Sequence, residues 1–133
     1  MQGPISYRDL RVWRQAMQLV SLTYGVVRRL PPDERFALGD QMRRAAVSVP
    51  TNIAEGNSRF HRKEYLQFLS IARGSLAELD TLFELAVDLG YLSAAETQEA
   101  LSLTLQLRMP LQTLIKNQRQ CPDEAITSAN PAK

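Results

Sequence analysis

The sequence holds one histidine and one cysteine, His61 and Cys121, and sixty residues separate them. A zinc site needs three or four Cys, His or carboxylate ligands at suitable spacing, so this pair assembles no metal centre. Carboxylate sites in helical bundles use Glu-x-x-His on facing helices; here only the reversed His61-x-x-Glu64 occurs, and once. A serine or cysteine nucleophile requires a base and an orienting third group. The sole histidine stands between Phe60 and the charged pair Arg62-Lys63, where that assembly has little to build on. No GxGxxG or GxxxxGK[ST] loop is present to cradle a nucleotide. The expectation is a protein with no catalytic residue, no metal, no cofactor and no small-molecule substrate, which works by binding.

What remains for recognition is cationic. The net charge of +2 conceals an asymmetry: residues 1–63 carry eleven Arg/Lys against five Asp/Glu, and residues 64–133 carry five against nine. Such a split marks either a surface that attracts anions or two halves that pair inside the fold or across subunits. Arg43 and Arg44 fall off the apolar seam of their helix, Arg59, Arg62 and Lys63 cluster around a turn, and Arg73 lies further along. These six are the candidate nucleic-acid-binding residues; the competing reading is a solvated turn with intersubunit salt bridges. Arg8, Arg11 and Arg14 form a second basic strip. Aromatics are few, with four Phe, four Tyr and one Trp. Trp13, Tyr24, Tyr65, Phe68 and Phe83 fall on seams or apolar strips, so they are expected in the core. Any RNA is therefore expected to be read by shape and phosphate rather than by base stacking.

The elements that must position these residues are helical. Leu10, Trp13, Met17, Val20, Tyr24 and Val27 step by three and four, the seam of a first helix. Ser6 with Asp9 is a capping-box-like start, and Pro31-Pro32 stops the helix. A second helix begins near Asp33 and carries Leu38, Met42, Ala45, Val49, Asn52 and Gly56 up to a Gly-Asn-Ser turn at 56–58. The third, from about His61, aligns Tyr65, Leu69, Ala72, Leu76, Leu79, Phe83 and Ala86, with Gly90 as its C-cap. Ser93 and Glu96 form a capping box opening the fourth, lined by Leu103, Leu107, Leu111 and Leu114. Long helices joined by short turns predict an all-α, antiparallel up-down-up-down four-helix bundle over residues 1–121. Residues 122–133, polar and rich in Pro and Ala, read as a disordered tail. A lone cysteine, no apolar h-region at the N-terminus and no membrane-length apolar run point to the cytoplasm.

Two helices carry more apolar surface than one seam needs. Ala46, Val47, Pro50 and Ala54 stand off the seam of the second helix; Ile71, Leu82, Leu85 and Leu89 form another strip on the third. A helix with two apolar stripes is buried on two sides, which predicts self-association. Pro50 and Pro110 lie inside helical patterns, and Pro50 leaves the Ala46 carbonyl to water or to a hydroxyl such as that of Ser48. Gly74, in mid-helix, predicts a close helix crossing at Gly74-Ser75. Asn52 occupies a seam position, where a single buried Asn fixes register. Glu55 stands four residues before Arg59, the spacing of an intrahelical ion pair, or it bridges to a neighbouring subunit. Gly56 ends the seam where the chain turns and supplies a backbone geometry that other residues resist.

The runs QMRRAAVSVPTNIAEGNSR (41–59), EYLQFL (64–69) and GSLAELD (74–80) resemble the four-helix bundle protein family, which includes proteins encoded by intervening sequences inside bacterial large-subunit ribosomal RNA genes. The opening YRDLRVW (7–13) and the Leu30-Pro31 helix end fit as well, so the resemblance covers about residues 7–118. Accessory proteins of diversity-generating retroelements are similar. The resemblance implies a bundle that assembles into a homopentameric ring. For the retroelement relatives it implies binding of nucleic acid and of a reverse transcriptase. The expected function is thus a homo-oligomeric bundle binding structured RNA or an RNA–protein complex. The rival is a protein-interaction scaffold without nucleic acid. A DNA-binding helix-turn-helix is disfavoured because no short recognition helix stands apart from the bundle.

Overall fold

The computed structural model describes residues 6–59 and 61–119. The domain limit drawn at residue 121, Cys121 and the tail expected at 122–133 lie outside the described residues. Four long helices form: α1 (Arg11–Val27), α2 (Leu38–Asn57), α3 (Arg62–Asp88) and α4 (Ala94–Arg119). Each packs on its sequence neighbours, α1 closes on α4, and the α2–α3 interface is the most extensive. This is the antiparallel all-α bundle that the periodicity predicts.

The seams of α3 and α4 are those read from the sequence. All seven predicted α3 positions are buried, as are Leu103, Leu107 and Leu111 on α4, with Leu114 partly so. On α2, Leu38, Met42, Ala45, Val49 and Gly56 are buried and Asn52 is half-buried. Helix α1 differs. It buries Val12, Ala16, Leu19, Thr23 and Val26, one position before nearly every predicted seam residue. One residue is about 100° of rotation, so α1 turns a different face to the core. Met17 and Tyr24 are exposed, Leu10, Trp13 and Val20 are only partly covered, and of the predicted seam only Val27 is buried. Small side chains let α1 sit close, and the buried Thr23 hydroxyl donates to the Leu19 carbonyl at 2.8 Å, leaving no orphan.

The helix ends also depart from expectation. Ser6 Oγ accepts from the Arg8 N–H at 3.2 Å and caps a 3-10 turn (Tyr7–Asp9), while α1 starts at Arg11. The helix expected near Asp33 is a single turn, Pro32–Arg35, with Pro32 in its first turn, where no N–H is needed. A break at Phe36-Ala37 separates it from α2. Helix α2 continues through Gly56 to Asn57, so Gly56 is helical and not a turn residue. The other predicted ends hold. Gly90 adopts φ +77°, Gly90 N–H donates to Val87 and Tyr91 N–H to Ala86, a Schellman close of α3. Ser93 and Glu96 exchange reciprocal bonds of 2.8 and 3.2 Å at the start of α4.

A polar bridge marks the α2–α3 crossing. The Ser75 and Ser48 hydroxyls bond at 2.7 Å, and Asn52 Nδ2 donates to the Ser48 carbonyl and hydroxyl at 2.7 and 2.9 Å. The Ser48 hydroxyl oxygen accepts both bonds of this bridge, and among the described residues it makes no bond to the Ala46 carbonyl freed by Pro50. Gly74 has open space around it, with no atom within 4 Å of an added Cβ. The close approach lies instead at Gly56, whose Cβ would meet Phe68 Cβ at 2.8 Å and Tyr65 Cδ1 at 2.9 Å. The second apolar strips are partly absorbed within one molecule, since Ala46, Pro50 and Leu82 are buried. Val47, Ile71, Leu85 and Leu89 remain exposed.

Candidate nucleic-acid interface

Antiparallel packing brings the start of α1, the α2–α3 turn and the end of α4 to one end of the bundle. Arg62 Nη1 fastens them, donating to the Gln118 carbonyl at 2.7 Å. Arg8, Arg11 and Arg14 come from the first element and its lead-in, Arg59, Arg62 and Lys63 from the turn, and Lys116 and Arg119 from α4. Among the described residues Asp9, Glu55 and Glu64 oppose these eight cations. The other end holds Arg28, Arg29 and Arg35 together with Asp33, Glu34, Glu84, Asp88, Glu96 and Glu99. The charge split along the sequence becomes a charge split along the bundle axis.

Within the basic end the cations differ in how far they are free. Arg59 is held by Glu55 at 3.1 Å, the pair its spacing predicts, and by Glu64 at 3.8 Å, and it lies 4.9 Å over the Phe68 ring. Both carboxylates screen it. Arg62 is occupied with the α4 carbonyl end, where the helix dipole favours a cation. Arg14 donates to the Arg8 carbonyl at 3.1 Å, and Arg8 lies 4.9 Å over Tyr7. Tyr7 in turn packs edge-to-face on Trp13 at 5.2 Å, and Trp13, partly buried against the core, joins this end to it. Arg11, Lys63, Lys116 and Arg119 are exposed and enter no ion pair among the described residues.

The remaining candidates stand elsewhere. Arg43 pairs with Asp40, donates to the Arg35 carbonyl at 3.0 Å and lies 6.0 Å from the Tyr24 ring centre. With Arg35, which donates to the Leu30 and Arg28 carbonyls at 3.3 and 3.1 Å, it clasps the α1–α2 connection. Arg44 is exposed on the outer face of α2. Both lie about 22 Å from the turn along the helix, at ~1.5 Å per residue. Arg73 donates to Gln112 Oε1 at 2.9 Å across α3 and α4. Asn52 and Gly56 belong to the α2–α3 crossing described above. Tyr65, fully buried beside Gly56, has no hydrogen-bond partner for its hydroxyl among the described residues, and burial pushes its pKa up.

Among the described residues no group of three His, Cys, Asp or Glu is placed to hold a metal ion, and no helix is long and apolar enough to cross a membrane. The sequence profile of the 23S rRNA-intervening sequence proteins matches residues 8–113. The chain belongs to that family. A solved relative in fold is a protein of unknown function from the S23 ribosomal protein family of Bacteroides thetaiotaomicron. It superposes with a TM-score of 0.73 at 19% identity, over 79% of this chain and 98% of that one. Comparison with curated protein sequences returns no significant match. The family match takes in α1 to α3 and most of α4, and ends before Lys116 and Arg119. These two complete the basic end and were missed in the sequence reading. Their signal was the topology itself, since an antiparallel fourth helix must finish beside the α2–α3 turn.

Proposed function

We propose that this family member is a non-enzymatic, cytoplasmic protein that self-assembles and binds structured RNA through the basic end of its bundle. The observation that carries the reading is the gathering, among the described residues, of eight cations against three carboxylates at one end. Four of them, Arg11, Lys63, Lys116 and Arg119, are exposed and enter no ion pair among the described residues. An array of this kind holds phosphates and fixes the orientation of a duplex or folded RNA without reading its bases. The family's tie to 23S rRNA supports RNA as the polyanion. Assembly repeats the array around an axis and strengthens its field. Five copies is the number the sequence resemblance implies, and light scattering should then give about five times 15.0 kDa.

Filter binding of a folded RNA tests the site. Replacing Lys63, Lys116 and Arg119 together by Gln should weaken binding to all sequences alike and leave the helical circular dichroism signal intact. Full affinity in the folded triple variant would move the site to Arg8, Arg11 and Arg14 in α1 and its lead-in. No binding by the wild type at low salt would favour the protein scaffold, for which the exposed apolar surface of α3 and α4 speaks.

A further inference from the structure

A groove of about 660 Å³ runs along the outside of α3 and α4. Gly74 and Ala77 form its shallow α3 wall, Leu105 and Met109 its α4 wall, and Arg73 and Arg108 flank it. Met109 is 72% exposed and Leu105 44%, a large apolar surface for a molecule whose core is otherwise well covered. Gly74 sits in the middle of a long helix, and among the described residues nothing outside its own helix backbone comes within 4 Å of an added Cβ. A missing side chain there serves close approach by something outside.

The same chain carries an exposed apolar surface flanked by the opposite charge. At the far end of α3, Leu85 and Leu89 are 42% and 58% exposed. Glu84 and Asp88 flank them, and no base lies between residues 78 and 93. Leu85 and Leu89 are four residues apart, as are Leu105 and Met109, so both pairs repeat at about 6 Å along their helices. The groove lining has no carboxylate, and among the described residues Arg73, Arg108, Glu84 and Asp88 enter no ion pair. We infer that the α3–α4 groove of one copy receives the Leu85–Leu89 ridge of a second copy, with Glu84 and Asp88 facing Arg73 and Arg108. The contact rests on the self-assembly proposed above and assigns its two surfaces. Ridge and groove are different parts of one chain, so every copy both gives and receives.

Complementation tests this contact in the absence of RNA. Leu89→Lys sets a cation against the groove arginines, and Met109→Glu sets a carboxylate against the acidic ridge; both sites are exposed, so each variant should keep its helical signal. By light scattering, each variant alone should fall to a single 15.0 kDa chain, and an equimolar mixture should recover a two-chain species through its one intact ridge–groove pair. An assembled wild type with either variant unchanged in mass, or with a mixture that stays monomeric, overturns the assigned contact and leaves assembly by another surface. A monomeric wild type overturns assembly itself.

Discussion

An added methyl at Gly56 would press on the Phe68 Cβ at 2.8 Å and on the Tyr65 ring at 2.9 Å, and the Phe68 position is fixed by backbone. Alanine favours a helix by about 1 kcal/mol over glycine, but overpacking a tight crossing costs about 1–3 kcal/mol. Gly56→Ala should therefore lower stability. Gly74→Ala meets no such obstacle within one molecule and should raise it by up to about 1 kcal/mol. Urea unfolding of both changes on the Leu89→Lys background separates them from assembly; equal signs would refute the contrast. Tyr65 poses the reverse problem. Its hydroxyl is buried without a partner among the described residues, and burial disfavours its ionisation. Tyr65→Phe removes an unsatisfied group at nearly constant shape and should stabilise the fold by about 1 kcal/mol. A loss of stability in the same unfolding experiment would mean that the hydroxyl has a partner.

Among the elements, α4 depends on its cap. Glu96 accepts from the Ser93 backbone N–H and, first through that bond, holds a pKa below the ordinary carboxylate value. A lowered folded-state pKa means that the unfolded chain binds the proton more tightly. The contribution of Glu96 is thus present at neutral pH and is lost as pH falls through the carboxylate range. Thermal unfolding of wild type and Glu96→Gln between pH 7 and acid should show a gap that narrows on acidification; a constant gap would remove the charge from the cap. Reciprocal capping was legible in the sequence because Ser-x-x-Glu acts over four residues. The seams of α2, α3 and α4 were legible because large apolar residues recur along them at three- and four-residue spacing, even though Ile71, Leu85, Leu89, Leu105 and Met109 are apolar and exposed. Helix α1 was not. Its larger apolar side chains, Trp13, Met17 and Tyr24, lie off the buried face, while Ala16 and Thr23 are fully buried. Size and hydropathy mislead where a helix must pack close, and a threonine that satisfies itself on its own helix reads as polar. The break at Phe36-Ala37 had no local signal either, because Arg35 and Arg43 clasp it from a distance.

At the scale of the whole molecule, the sequence disclosed a charge imbalance between its halves but not its direction in space. Arg59, Arg62 and Lys63 were visible as a cluster, whereas their union with Arg11, Lys116 and Arg119 required knowing that four helices return the chain to one end. The axial separation of charge makes a sharper test than net charge alone. Each phosphate neutralised on a duplex lowers the logarithm of affinity by about 0.9 per tenfold rise in salt. Replacing Lys116 and Arg119 by Gln should therefore flatten the slope by up to about two phosphates' worth, on the order of 1.8. Replacing Arg28 and Arg29 removes the same charge from the far end, more than a Debye length of roughly 10 Å away at 0.1 M salt, and should leave the slope unchanged. Affinities measured across a salt series for the two double variants decide between a localised site and diffuse attraction. Equal flattening by both would show that the protein binds RNA through its overall charge, with neither end preferred.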